Sequence, residues 1–135
     1  MKLVNCLLIC ALSSILVSCE YWDSRLTIIN KTGRKIATET YTDTVPEYPS
    51  VNQREFYLRQ AFAPDSSTTM LKEGKEGWPN YLESSKNSKL NLVIFDFEDV
   101  EQCKSIDSLI THKKYRIITM DKTELIKNNW QVVIK

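Results

Sequence analysis

The sequence predicts a mainly β domain over residues 26–135, an antiparallel β-sandwich with two short helices. Three observations carry this. Short β-branched or alternating apolar runs recur along the chain with turn-forming residues between them. One run, Leu90 to Phe97, is apolar at both parities, which suits a strand covered on both faces. Clear helical spacing is confined to two short segments late in the chain. The competing arrangement is an α+β antiparallel sheet with its helices on one face.

In chain order, Leu26 to Asn30 is the first strand, and Lys31-Thr32-Gly33-Arg34 follows as a turn with glycine where positive φ is needed. Alternation resumes over Lys35 to Tyr41, and together these segments predict a hairpin. Pro46 and Pro49 make 43–50 a loop, since proline removes a backbone donor and holds the preceding residue extended. Arg54 to Ala63 places Phe56, Leu58 and Phe62 among polar residues and fits a strand or a short helix, the strand being preferred. Residues 64–89, rich in proline, glycine, serine and lysine, read as a surface loop, with one helical turn at Trp78 to Leu82. After the Leu90 strand, Ile106, Leu109 and Ile110 mark a short helix ending near His112. Tyr115 to Met120 is a strand. Asp121 and Glu124 form an acidic variant of the capping box for a helix that stops by Asn128-Asn129. Trp130 to Lys135 closes the chain as an alternating strand, which makes the C-terminus part of the fold.

Residues 1–18 are a secretory leader: Lys2 gives a positive start, and Leu3 to Ser18 carries no charge. A permanent transmembrane helix needs roughly 20 predominantly apolar residues, and this run is shorter and diluted by Asn5, Ser13 and Ser14. Its end, Leu16-Val17-Ser18-Cys19, resembles the lipobox of bacterial lipoproteins, with Cys19 as the lipid-attachment residue and 19–25 as a tether. Two or three acyl chains would hold the protein to a membrane, because each buried methylene adds about 0.8 kcal/mol. Glu20 and Asp23 favour the outer membrane, with the domain periplasmic or surface-exposed. Tyr21 and Trp22 suit a membrane interface.

Without the leader the chain loses one cation, Lys2, and its formal charge falls from +1 to zero. Nucleic acid is excluded as a partner, because no basic patch is strong enough to release counterions. Of the four cysteines, Cys6 and Cys10 leave with the leader and Cys19 carries lipid, so Cys103 has no internal disulfide partner. A lone cysteine without an activating neighbour reads as buried and inert. His112 is the sole histidine, which makes a zinc site or a histidine-based triad improbable. Asp96, Glu98, Asp99 and Glu101 form the one carboxylate cluster. They lack the glycine and alternation of a calcium loop and read as a solvated strand end. Trp78 and Tyr81 have two readings: a surface on which a glycan stacks, or a lid on one end of the core, which is preferred. No cofactor and no metal is implied.

The leader, the strand ending at Asn30, Tyr41-Thr42-Asp43-Thr44, the Leu90 strand, and the ending from Tyr115 through Leu125 to Trp130 together resemble a group of small Bacteroidetes lipoproteins of unknown function. That resemblance implies an address and domain limits, and brings no activity with it. It also implies O-glycosylation at Asp-Ser/Thr-aliphatic sites, making Thr44 and Ser108 candidates, Thr44 the better. Asn30-Lys31-Thr32 is a formal N-glycosylation sequon and is read as accidental. The function expected is a lipid-anchored binding or structural module contacting an envelope protein or glycan, with no catalytic residues. The alternative is an accessory subunit or immunity protein of an envelope secretion system. A glycoside hydrolase working through the Asp96 to Glu101 carboxylates is the weakest reading.

Overall fold

The structure, a computed structural model, describes residues 21–47, 49 and 51–135. The leader and Cys19 lie outside the described residues. Among the described residues six strands form two three-stranded sheets. In the first, β1 (Trp22–Asn30) is central, antiparallel to β3 (Ser67–Glu73) and parallel to β6 (Gln131–Ile134). In the second, β4 (Leu90–Asp96) is central and antiparallel to both β2 (Ile36–Tyr41) and β5 (Arg116–Met120). Five helices accompany them: α1 (Arg54–Gln60), α2 (Gly77–Ser84), α3 (Phe97–Gln102), α4 (Ile106–Thr111) and α5 (Lys122–Lys127). None is long and apolar enough to cross a membrane.

The pleat of β4 divides the core in two. Leu90, Leu92 and Ile94 point into one cluster with Leu26 and Ile28 of β1, Val132 and Ile134 of β6, Ile36 of β2, Trp78 and Leu82 of α2, and Leu125 of α5. Val93 and Phe95 point the other way, into a cluster with Ala37 and Tyr41 of β2, Tyr57 of α1, Val100 of α3, and Ile106 and Leu109 of α4. The first sheet therefore covers one face of the second, and α1, α3 and α4 cover the other.

Several expectations hold. β4 is buried at both parities, α4 ends at Thr111, and β5 falls within the expected segment. α5 opens with the full capping box: Asp121 Oδ1 accepts from the Glu124 N–H at 2.8 Å, and Glu124 Oε2 accepts from the Asp121 N–H at 3.0 Å. The helix then turns into β6 through left-handed Asn129 and Trp130, φ 52° and 58°.

Other expectations are corrected. Strand and helix content are similar, so the domain is mixed α and β, with five helices among the described residues where two were expected. It is not wholly antiparallel, because β6 returns beside β1 in parallel. β1 starts at Trp22, inside the expected tether. β1 and β2 form no hairpin. Both edges of β1 are occupied by β3 and β6, and the Gly33 turn, φ 74°, carries the chain from one sheet to the other. Arg54 to Gln60 is a helix, because Tyr57, counted as polar in the alternation, is its most deeply buried residue and packs with Phe95. The expected loop 64–89 contains both β3 and α2, and the carboxylate segment after Asp96 is α3 rather than a strand end running into a turn.

Asn30 fastens the far end of β1. It is fully buried, and its amide Nδ2 donates to the carbonyls of Arg34 at 2.7 Å, Ala63 at 3.1 Å and Phe62 at 3.3 Å. Its Oδ1 accepts from the Thr32 N–H and hydroxyl. The sequon asparagine is thus consumed by the fold. Asn30→Ala leaves buried carbonyls without a donor, and we expect a loss of about 2–4 kcal/mol in urea unfolding with an unchanged m-value. Thr44→Ala on the exposed loop is expected to stay within about 0.5 kcal/mol of wild type.

Candidate functional site

The near end of β1 positions α2. Asp23, on the inner face, accepts from the Trp78 N–H at 3.0 Å and from Arg25 Nε at 2.8 Å. Arg25 also reaches Glu76 and lies over the Trp130 ring. Burial would raise the Asp23 carboxyl, but the donors from Trp78 and Arg25 hold it below its ordinary value. α2 then approaches β3 so closely that a Cβ on Gly77 would lie 2.8 Å from both the Cβ and the carbonyl oxygen of Lys72. Only glycine fits there. The Trp78 indole N–H donates to the Met70 carbonyl at 3.1 Å, which fixes the ring against β3.

β3 alternates: Thr68, Met70 and Lys72 face inward, while Thr69, Leu71 and Glu73 face out. Its inward side, α1 and the inner face of β2 bound a groove of about 550 Å³ on the flank where the two sheets do not meet. Thr38 and Thr40 of β2, Arg59 and Gln60 of α1, and residues Thr68 to Lys72 of β3 line it, with Trp78 at its base. No lining residue is acidic.

Lys72 dominates this groove. Its ammonium sits 3.9 Å from the centroid of Tyr81 and 5.2 Å from that of Trp78, whose rings meet edge to face at 5.6 Å. Among the described residues no carboxylate lies within ion-pair distance of it. Burial lowers its pKa, partly opposed by the field of Glu39. Glu39 itself faces the helical side, where it accepts from the Tyr57 hydroxyl, and burial together with Glu39 holds the Tyr41 phenol far above its ordinary range. Burial raises the Tyr81 phenol, partly opposed by the Thr40 hydroxyl.

The remaining sequence candidates lie elsewhere. Trp78 is only 1% exposed and its ring is roofed by Lys72, so with Tyr81 it closes the core, and Trp78 also lines the groove. Thr44 is exposed beyond β2, and its N–H donates to Asp43 Oδ1 at 2.6 Å while Lys86 holds the other carboxylate oxygen at 2.8 Å. Ser108 is half-buried in α4 and donates to the Ser105 carbonyl. The Cys103 thiol is buried, donates to the Val100 carbonyl and is raised by burial. His112 Nδ1 is 2.7 Å from the Ser108 carbonyl oxygen. Asp96 pairs with Arg34 and Asp99 with Lys114, while Glu98 and Glu101 are exposed. Lys72, Arg59 and the groove threonines were not singled out from sequence. The signal for Lys72 was a lysine in phase with Thr68 and Met70, an inward strand position.

Compared with known proteins, the chain matches no family model, no curated protein and no solved structure.

The Asp23 cluster makes stability depend on pH. Because the folded pKa lies below the ordinary aspartate value of 3.8, the contribution is full above that value and is lost as pH falls through the folded pKa. Asp23→Asn is therefore expected to be about 1–3 kcal/mol less stable than wild type at pH 7, with the gap narrowing below about pH 4. Chemical unfolding across pH 2–7 measures this, and a gap that stays constant would contradict it.

Proposed function

We propose that this chain is an envelope protein anchored by lipid on Cys19, whose domain, two sheets packed as a sandwich with helices over one of them, works as a binding module rather than an enzyme. The observation that carries the reading is the groove, where a half-buried lysine with no carboxylate partner among the described residues faces an open cavity. Its volume lies within the roughly 300–1,000 Å³ of ligand pockets. Burying an ammonium in this way costs stability unless something compensates, and a ligand supplies that compensation. The dispersed, exposed or ion-paired Asp96 to Glu101 carboxylates favour binding over glycoside cleavage.

A second reading, an accessory subunit or immunity protein of a secretion system, draws on the outer face of the first sheet. There Trp22, Leu71 and Val133 are 50%, 53% and 44% exposed. Apolar side chains gathered on one face suit a protein partner.

Two measurements test the proposal. The mature protein in the membrane fraction should carry the mass of a diacylglyceryl-modified Cys19, and Cys19→Ser should leave it unprocessed and unlipidated. A photo-crosslinking residue at Gln60, on the groove rim, should capture a discrete envelope component in intact cells, whereas one at exposed Lys104 should not. Equal, diffuse labelling at the two positions would contradict a groove-based binding function.

A further inference from the structure

We propose that the groove is a missing-strand slot: it takes an extended acidic polypeptide segment, which pairs with the free edge of β3 and places a side-chain carboxylate on Lys72. This rests on the binding reading above and names the ligand.

Backbone phase supplies the first argument. The Asn30 N–H donates to the Ser66 carbonyl and the Asn30 carbonyl accepts from the Asp65 N–H, so Asn30, Ile28 and Leu26 turn their peptide groups toward β3. Their partners Thr68 and Met70 are thereby engaged, and the pleat turns Thr69 and Leu71 away from β1. Among the described residues β3 has no second neighbour in its sheet. Across the groove the same holds for β2. Ile36 exchanges hydrogen bonds with Phe62, away from β4, so Thr38 and Thr40 also turn their peptide groups outward. Among the described residues no backbone hydrogen bond outside the ladders uses Thr38, Thr40, Thr69 or Leu71. All four line the groove. Two strand edges with unused donors and acceptors thus face one cavity, and between residues 67 and 71 β3 carries no proline, bulge or charge to block pairing. An added strand is the ligand that fits such edges.

Charge supplies the second. In a chain that carries no net charge without residues 1–18, this groove is lined by two cations and no acid. Arg59 makes no ion pair among the described residues, although Glu55, one turn earlier, lies in its field. The carboxylates near Lys72 are already engaged. Asp23, its cross-strand neighbour, binds Arg25 and the Trp78 N–H, and Glu39 binds the Tyr57 hydroxyl. A carboxylate from outside would meet a partly desolvated ammonium, where pairing is stronger than at an exposed surface. A sugar is the poorer occupant, because Lys72 already covers the Tyr81 and Trp78 faces on which a ring would stack.

The test uses the full-length protein in detergent, titrated with capped hexapeptides that alternate threonine with glutamate, glutamine or lysine, and with an oligogalacturonate. Amide shifts and hydrogen exchange are followed by NMR. The glutamate peptide is expected to slow exchange at Thr69 and Leu71 and to bind roughly tenfold more tightly than the glutamine peptide, with no binding by the lysine peptide. Lys72→Met, which keeps the aliphatic stem, should abolish the preference for glutamate at an unfolding midpoint no lower than that of wild type, and Lys72→Arg should restore part of the preference. Equal affinity for glutamate and glutamine peptides, or binding of oligogalacturonate without protection of β3 amides, would overturn the proposal. If no probe binds while Gln60 still captures a discrete partner in cells, the acidic-strand assignment falls and the binding reading stands. If both fail, both fall.

Discussion

Everything in this domain is arranged around a strand that cannot be left facing water on either side. β4 presents Leu90, Leu92 and Ile94 to one face and Val93 and Phe95 to the other, all of them essentially without solvent exposure. Burying each such side chain contributes roughly 1.5–3 kcal/mol, so both faces need a layer. The chain meets this with different materials. β1 and β6 supply aliphatic residues on one side, and the short helices α1, α3 and α4 supply Tyr57, Val100, Ile106 and Leu109 on the other. β2 and β5 then pair with the edges of β4 and inherit the same division. The first sheet is narrow, and among the described residues no strand pairing joins its β3 edge to the β2 edge of the second. The groove is the gap left by covering β4 without closing the flank.

The buried polar residues sit where the layers have to be held in place. Asn30 and Asp23 occupy opposite ends of β1, and each satisfies backbone groups from a distant part of the chain: the 62–63 segment at one end and the start of α2 at the other. Such groups add little net energy when satisfied, but leaving their partners unpaired in the interior is costly. They therefore set the register of the surrounding segments more than they add stability. Gly77 has the same character. It lets α2 lie against the Lys72 backbone, and that contact stacks Lys72 over Trp78 and Tyr81. The site and the packing are one arrangement.

How much of this was legible depended on whether a residue's neighbours in sequence are also its neighbours in space. β4 declared itself because apolar residues at both parities have few other uses, and α5 because Asp121 and Glu124 cap each other locally. α1 was misread because Tyr57 counts as polar in an alternation yet buries its ring against Phe95. β3 was hidden because an edge strand with one half-covered face can be built from threonine, methionine and lysine, which resemble a loop in composition. The supposed hairpin failed on topology: Gly33 marks a turn correctly, but a turn does not say whether the next strand joins the same sheet. The groove depends on pairs such as Thr38 with Lys72, far apart in the chain. Periodicity cannot show these, though the inward phase of Lys72 was available.

Native-state hydrogen exchange measures the central claim most directly, because it reports separately on the doubly covered strand and on the open edge. The account predicts that Leu92, Val93 and Ile94 exchange only through global unfolding, that β3 opens at lower free energy, and that within β3 protection alternates, with Thr68 and Met70 slow and Thr69 and Leu71 fast. Exchange of the β4 amides through local opening, or uniform protection along β3 in the free protein, would contradict it.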